Sequence, residues 1–145
     1  MASVKPEIWV GIDPDVEKSG VAVWDSNEKS FDSIQCLSFF DTIETIKLAN
    51  EFYSTLVIIE AGWLIKKSNW HGANNKNVAA KIGTKVGANH QVGKLLAEYC
   101  MNNNLPYILT VPQGKRNARE FKCLTGWQGR TNSEHRDAAL LVFGR

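Results

Sequence analysis

The sequence predicts an α/β fold in which helices flank a mixed five-stranded sheet. One observation is the run Val57-Ile58-Ile59, which leads directly into the carboxylate of Glu60. A run so uniformly apolar is typical of a strand buried on both faces of a sheet. The other is the predicted order of elements, which is three strands, a helix, a strand, a helix, a strand and then helices. With 145 residues, the chain is expected to form one domain over 1–145.

The first half of the chain is predicted to contain four strands and one helix. The strands are predicted at 7–12, 21–24, 30–40 and 55–60, and the helix from Asp41 or Thr42 to about Tyr53. Pro14 and Gly20 mark a turn between the first two strands, which should therefore pair as an antiparallel hairpin. The helical crossover before the fourth strand predicts that this strand lies parallel to its partner.

The second half is predicted to contain a polar loop, a long helix, the fifth strand and two shorter helices. The predicted ranges are 61–76 for the loop, 77–102 for the long helix, 106–111 for the strand, and 117–124 and 133–143 for the last helices. Apolar residues mark the inner side of the long helix at Val78, Ile82, Val86, Leu96 and Cys100. Gly83 and Gly87 are four residues apart, which predicts close packing of this helix against the sheet.

The cysteines, the apolar runs and the first residues of the chain indicate the compartment of the protein. The three cysteines are widely spaced, which argues against a zinc site or a disulfide framework and favours a reducing compartment. No apolar run approaches the ~18 residues of a transmembrane helix, and the first residues lack the pattern of a signal peptide. We therefore expect a cytoplasmic protein with no membrane partner.

Charge is distributed unevenly along the chain. Residues 1–60 carry a net charge of −7 and residues 61–145 a net charge of +9, although the whole chain carries only +2. This asymmetry indicates a polyanionic partner. The alternative is ordinary charge on solvated helix surfaces.

The loop after Glu60 interleaves aromatic and basic residues, namely Trp63, Lys66, Lys67 and Trp70. Such a mixture suits unpaired or distorted nucleic-acid strands, on which aromatic rings can stack. Lys81 and Lys85 add a basic pair on the long helix. The alternative is that one or both tryptophans pack in a small core of their own.

Four carboxylates stand at the ends of predicted elements: Asp13, Glu60, Glu134 and Asp137. If the first and fourth strands are parallel neighbours, Asp13 and Glu60 meet at the same edge of the sheet. Glu134 and Asp137 are three residues apart and share a face of the last helix. Because clustered carboxylates repel each other, the pattern predicts a hard cation such as Mg²⁺. Two such ions about 4 Å apart can stabilise the attacking and leaving oxygens of a phosphodiester.

Each of these carboxylates also has a purely structural interpretation. Asp13 can be a turn residue before a proline. Thr131 and Glu134 have the spacing of a capping box at the start of the last helix. Asp137 can simply pair with a nearby lysine or arginine.

Several motifs, taken in order, resemble those of one nuclease family. They are Gly11-Ile12-Asp13-Pro14 with Ser19-Gly20-Val21-Ala22, then Val57-Ile58-Ile59-Glu60, the stretch from Gly87 to Pro106, and Glu134 with Asp137-Ala138-Ala139. This set resembles the RuvC-type Holliday-junction resolvases of the ribonuclease H-like superfamily, and it extends over nearly the whole chain. Asp15 stands where the family usually has glycine, and the segment between Lys115 and Glu134 is short. These departures indicate a compact or phage-like branch.

The resemblance implies a ribonuclease H-like sheet with strand order 3-2-1-4-5 and an antiparallel second strand. It also implies a homodimeric endonuclease that depends on Mg²⁺, with Mn²⁺ as a substitute, and that cleaves branched DNA such as Holliday junctions. The metal ligands and catalytic carboxylates would be Asp13, Glu60, Asp137 and, as the fourth member, Glu134. Trp63 falls where many members carry an aromatic residue that stacks on a base. Lys115, or Arg116 beside it, falls near the basic residue that approaches the scissile phosphate.

Three other functions are alternatives to this one. A non-catalytic nucleic-acid binder on the same fold would be expected to lack one or more of the carboxylates, yet all four positions are acidic here. An ATP-handling domain of the actin and sugar-kinase type needs a second similar domain, for which 145 residues are too few, so no nucleotide cofactor is expected. A ribonuclease that acts on RNA–DNA hybrids or structured RNA remains open.

Overall fold

The structure is a computed structural model, and it describes residues 5–65 and 76–145. Lys66, Lys67 and Trp70, which the sequence predicts to contact nucleic acid, lie outside the described residues. The elements, in chain order, are strands β1 (Ile8–Asp13), β2 (Ser19–Asp25) and β3 (Ser30–Leu37), helix α1 (Phe39–Phe52), strand β4 (Thr55–Glu60), a 3-10 turn (Gly62–Leu64), helix α2 (Lys76–Asn102), strand β5 (Tyr107–Thr110) and helices α3 (Ala118–Thr125) and α4 (Ser133–Val142).

The strands form one mixed sheet in the order β3-β2-β1-β4-β5. β2 pairs antiparallel with both β1 and β3, whereas β4 runs parallel to both β1 and β5. The predicted five-stranded sheet, its strand order and the antiparallel second strand are therefore confirmed. Because β1 and β4 are parallel neighbours, their carboxyl ends lie at the same edge of the sheet.

Helices cover both faces of this sheet, and alternate residues of β4 face opposite layers. Val57 and Ile59 pack in one cluster with Ile46 of α1 and Leu96 of α2. Ile58, which points to the other face, packs with residues of α3 and α4. All three β4 side chains are fully or almost fully buried, as the uniformly apolar run predicts.

Helix α4 lies unusually close to the β1–β2 hairpin. A Cβ atom placed on Gly11 would overlap the carbonyl oxygen of Ala138, and one placed on Gly20 would overlap that of Glu134. Ala138 and Ala139 are fully buried against the same strands. Only glycine on the strands and small residues on the helix permit this approach.

The helix caps differ from those predicted from the sequence. The N-cap of α1 is Ser38, whose side chain accepts a hydrogen bond from the N–H of Asp41, so the helix begins at Phe39 rather than at Asp41 or Thr42. The capping box of α4 is formed by Asn132 and His135 rather than by Thr131 and Glu134. The Asn132 side chain accepts from the backbone N–H of His135 at 2.8 Å, and the His135 Nδ1 accepts from that of Asn132 at 3.0 Å.

The predicted packing of the first half of α2 is wrong. Val78 and Ile82 are 48% and 40% exposed, and Cβ atoms placed on Gly83 and Gly87 would meet nothing within 4 Å among the described residues. The second half of the helix does pack on the sheet, where Leu96 is fully buried. An apolar period identifies the face of a helix, but not how many of its turns reach the sheet.

The described helices include none that is both long and apolar enough to cross a membrane. Cys36, Cys100 and Cys123 are all unpaired, in agreement with the absence of a predicted disulfide framework.

Substituting alanine at Gly11 and at Gly87 should have opposite effects on stability. Gly11→Ala forces a methyl group against the Ala138 carbonyl and should lower the free energy of unfolding by about 3 kcal/mol. Gly87→Ala adds a methyl group in open space and should raise it by up to ~1 kcal/mol, because alanine is the better helix former. Urea unfolding measures both. A Gly11→Ala variant as stable as the parent would contradict the close contact between α4 and β1.

Candidate metal centre

Three carboxylates meet at the edge of the sheet where β1 and β4 end. Asp13 is the last residue of β1, Glu60 is the last residue of β4, and Asp137 lies in the second turn of α4. Each offers an oxygen atom, and these atoms all lie within 4.8 Å of one another. The pairing of Ile12 with Ile59 aligns the two strands, and the contact of Ala138 with Gly11 brings Asp137 over their ends.

Glu134, the fourth predicted carboxylate, lies outside this three-carboxylate group. It is in the first turn of α4, and its backbone carbonyl packs on Gly20. Its side chain accepts a hydrogen bond from the Ser133 hydroxyl at 3.4 Å. The role of Glu134 as a fourth catalytic residue therefore stays a prediction, and its neighbour His135 belongs to the helix cap.

The pKa values of two of these carboxyl groups are raised. Burial, and then the neighbouring charge of Glu60, raise the pKa of Asp13 to about 8. Burial also raises the pKa of Glu60, although its hydrogen bond with Asp13 acts in the opposite direction. Both shifts disfavour the state in which the two neighbouring carboxylates are ionised together. A bound cation would relieve the same repulsion.

Lys115 reaches the group from the loop between β5 and α3. Its Nζ donates to Oδ2 of Asp137 at 2.7 Å, and this hydrogen bond raises the pKa of the lysine. The Asp137 side chain is only 12% exposed, whereas that of Lys115 is 74% exposed. The lysine thus keeps its positive charge and remains accessible to an anionic group that approaches the carboxylates.

The chemistry of these residues fits a divalent cation. Oε2 of Glu60 is buried and has no hydrogen-bond partner within the described parts of the chain. Leaving a buried polar atom unsatisfied costs about 1–3 kcal/mol, and a coordinated ion would remove that cost. Carboxylate oxygens are the ligands that Mg²⁺ and Mn²⁺ prefer. Asp13, Glu60 and Asp137 are therefore suited to hold such an ion.

A cleft of ≈ 160 Å³ opens beside Asp13 and Glu60, and Trp63 lies in its wall. The Trp63 ring is partly buried against the core. Its ring centroid lies 6.0 Å from that of His90 and 5.9 Å from the Lys94 Nζ, and the ring lies against Gly93. Trp63 therefore packs on α2 and borders the cleft at the same time, so its stacking role stays a prediction.

The other basic residues predicted to bind nucleic acid lie outside the carboxylate group. Lys81 and Lys85 are exposed on the first half of α2, beside Glu17. Arg116 is exposed and lies 3.9 Å from Glu120. Their contacts with nucleic acid remain predictions.

Two polar residues that the sequence patterns did not reveal hold segments of this site. Oδ1 of Asn89 accepts a hydrogen bond from the backbone N–H of Val16 at 2.8 Å, which ties the turn after Asp13 to α2. Arg136 donates to backbone carbonyls of two loops, those of Arg116 and Thr131. Neither contact has a sequence signal, because the backbone partner can belong to any residue type.

Stability should fall as pH rises when no metal is present. The pKa of Asp13 rises on folding from 3.8 to about 8. The folded state therefore holds a proton that the unfolded state lacks in this window, and the associated stability is lost between about pH 4 and pH 8. In a chelating buffer, Asp13→Asn should flatten this decline. It should also raise the melting temperature above about pH 8 by several degrees, since ~1 kcal/mol corresponds to roughly 3–5 °C for a domain of this size.

Thermal melting between about pH 5 and pH 9 measures this effect, with excess Mg²⁺ as a second condition. Mg²⁺ should restore the stability of the parent at high pH and have little effect on Asp13→Asn. Glu51→Gln, at an exposed position on α1, controls for the loss of any one negative charge. Parallel melting profiles for Asp13→Asn and the parent would show that the carboxylates do not repel as described.

The chain is similar to known proteins in structure but not in sequence. No protein-family model matches the sequence, and no curated protein matches it. Similar solved structures include T. thermophilus RuvC in complex with a Holliday junction substrate, with a TM-score of 0.48 and 14% identity over 94% of this chain and 90% of that chain. They also include a structure of Thermus thermophilus RuvC, with a TM-score of 0.43 and 15% identity over 90% of this chain and 88% of that chain. The likeness is one of fold.

Proposed function

We propose that this protein is a metal-dependent endonuclease that cleaves phosphodiester bonds in nucleic acid. The observation that carries the proposal is the group formed by Asp13, Glu60 and Asp137, whose carboxylate oxygens lie within 4.8 Å of one another. The buried, unpartnered oxygen of Glu60 and the ammonium of Lys115 beside Asp137 add to it. An acidic group with one exposed cation at its rim suits a metal ion and a substrate phosphate together.

The residues present divide the work of such a reaction between them. A bound Mg²⁺ would lower the pKa of a water molecule and stabilise negative charge on the phosphate. Asp13, Glu60 and Asp137 would hold the ion at a fixed place, because two of them end buried strands and the third lies on a closely packed helix. Lys115 would donate to a phosphate oxygen and so attract the substrate to an otherwise negative edge.

The substrate we propose is branched DNA such as a Holliday junction, cleaved by a cytoplasmic homodimer. The support lies in the sequence, where the motifs around Asp13, Glu60 and Asp137 resemble those of RuvC-type resolvases. The +9 net charge of residues 61–145 favours a polyanionic partner. Trp63 lies in the wall of the cleft beside two of the carboxylates, and in this proposal it would contact a base near a strand exchange.

A substrate panel tests this proposal. The protein would be incubated with Mg²⁺ and a four-way DNA junction, linear duplex DNA, an RNA–DNA hybrid or a structured RNA. We expect nicks in the junction that leave 5′-phosphate and 3′-hydroxyl ends. Preferred cleavage of the hybrid or the RNA would assign a ribonuclease instead. Tight junction binding without cleavage in Mg²⁺ or Mn²⁺ would assign a binding protein.

Asp13→Asn and Glu60→Gln should abolish junction cleavage while junction binding stays the same or becomes tighter. Each substitution removes a ligand for the ion and also a negative charge that repels phosphate. Cleavage and binding would be measured on the same labelled junction, the latter in Ca²⁺ or chelator. Near-normal cleavage by either variant in Mg²⁺ would rule out the proposed mechanism.

Asp137 and Glu134 should differ sharply in their importance. Asp137→Asn should be nearly inactive at any Mg²⁺ concentration, because Asp137 belongs to the three-carboxylate group and also holds Lys115. Glu134→Gln should lower the cleavage rate by about 10–100-fold or less, as substitutions of residues beyond the direct ligands do. Its cleavage activity should recover at higher Mg²⁺ or in Mn²⁺. Titration of cleavage against metal separates the two. If both variants lose the same cleavage activity and Mn²⁺ restores neither, Glu134 would be one of the metal ligands.

A further inference from the structure

Arg136 joins two loops that flank the carboxylates. Its Nε donates to the backbone carbonyl of Arg116 at 2.9 Å. One terminal nitrogen donates to both the carbonyl and the hydroxyl oxygen of Thr131, at 2.9 and 3.0 Å. Arg116 belongs to the loop between β5 and α3, and Thr131 to the loop between α3 and α4. The half-buried guanidinium therefore connects both ends of the α3 segment to α4.

The loop that carries Lys115 has few other attachments. All its residues from 113 to 116 are exposed, and a Cβ on Gly114 would meet no described atom within 4 Å. Among the described residues, the bond from Arg136 is the only hydrogen bond made by the backbone of 112–116. The position of the Lys115 backbone consequently depends on a side chain from another element.

Adjacent residues of α4 hold adjacent residues of this loop. Asp137 binds the Lys115 ammonium, and Arg136 binds the carbonyl of Arg116. A long lysine side chain that is 74% exposed has many rotamers, so one ion pair fixes its ammonium only weakly. Holding the next peptide group limits the positions that the ammonium can take.

The chemistry of arginine suits this task. Its planar guanidinium presents several donors in a fixed fork, so one side chain can bind acceptors on two loops, whereas a lysine ammonium is a single compact group. Hydrogen bonds from a charged donor are also stronger than those between neutral groups. The hydrogen bonds of Arg136 go to backbone carbonyls and a hydroxyl, which indicates a structural use of its charge.

We propose that Arg136 is a positioning residue that fixes the loop 112–116 and thereby keeps the Lys115 ammonium beside Asp137, where it meets the substrate phosphate. The fixing of the loop by Arg136 follows from the hydrogen bonds alone, whereas the contact of Lys115 with a phosphate rests on the proposed function. Two experiments test these two roles separately.

Limited digestion with trypsin tests the loop directly. Trypsin must bind the carbonyl of Arg116 to cleave the 116–117 bond, and this is the carbonyl that Arg136 holds. Arg136→Gln should speed cleavage at this bond about tenfold, because cleavage follows the population of the opened loop. Arg136→Lys should give an intermediate rate, since an ammonium cannot span both loops. Mass spectrometry identifies the bond that is cut.

Arg130→Gln is the matched control for this digestion. Arg130 is an exposed arginine on the loop that also contains Thr131, so its loss changes charge and removes a tryptic site without touching the Arg116 carbonyl. Cleavage at 116–117 should match that of the parent. Thermal melting of each variant excludes global unfolding as the cause. An unchanged rate at 116–117 in both Arg136 variants would overturn the proposal.

A double-mutant cycle on junction cleavage tests the link to the reaction. Arg136→Gln should lower the cleavage rate at saturating junction by ~10–100-fold, as small displacements of a reacting group do, with little change in junction affinity. In a Lys115→Ala background, Arg136→Gln should have almost no further effect, because its action passes through Lys115. If the two substitutions lower the cleavage rate independently, so that their fold-losses multiply, Arg136 would instead be a general structural residue. If Arg136→Gln lowers only the affinity for the junction, it would be a phosphate-binding residue.

The two experiments fail in different ways. If the parent cleaves no substrate in the panel, the proposed nuclease function falls, and the digestion still decides whether Arg136 holds the loop. If the parent cleaves the junction but the digestion rates do not change, the positioning role falls and the nuclease function stands.

Discussion

The close contact between α4 and the β1–β2 hairpin is the constraint on which the rest of the site depends. Gly11 and Gly20 leave room for the helix backbone itself, so α4 lies against the strands with no intervening side chains at these points. Larger residues there would displace the helix outward and carry Asp137 away from Asp13. Since protein cores are close-packed and accommodate added volume poorly, the spacing of the carboxylates is set by steric fit in the core rather than by any attraction between them.

This steric fit holds the carboxylates close together despite their mutual repulsion. Asp13 and Glu60 follow Ile12 and Ile59, which are fully buried, so the carboxylates could separate only by disrupting the central strand pair. Burial and, after it, repulsion by neighbouring carboxylates therefore raise the pKa values of both groups, while the distance between them stays fixed. Charges that are held at a fixed spacing in this way meet the condition for electrostatic preorganisation.

Strand pairing explains which parts of the site were accessible from the sequence. The meeting of Asp13 with Glu60 follows from the helical crossover and the carboxyl-end rule for parallel strands, whereas the strand order was implied by the family resemblance. The cap of α4 was misplaced by one residue because Thr131 and Asn132 are both competent N-caps, and tertiary contacts select between them. How far α2 extends beyond the sheet depends on the length of the sheet, and the apolar periodicity of the helix does not encode that length. Arg136 donates to backbone carbonyls. Because such an acceptor can belong to any residue type, no sequence pattern predicts these contacts.

The dispersal of the site along the chain has a consequence for how the protein is made. Asp13 ends β1 and Glu60 ends β4, Lys115 follows β5, and Asp137 lies on α4, which comes after every strand. During synthesis the sheet can begin to assemble while α4 is still absent. The nascent chain then has two of the three oxygen donors and lacks the helix that closes one face of its sheet. The complete group of three carboxylates should consequently form late and abruptly, at the moment when the last helix docks.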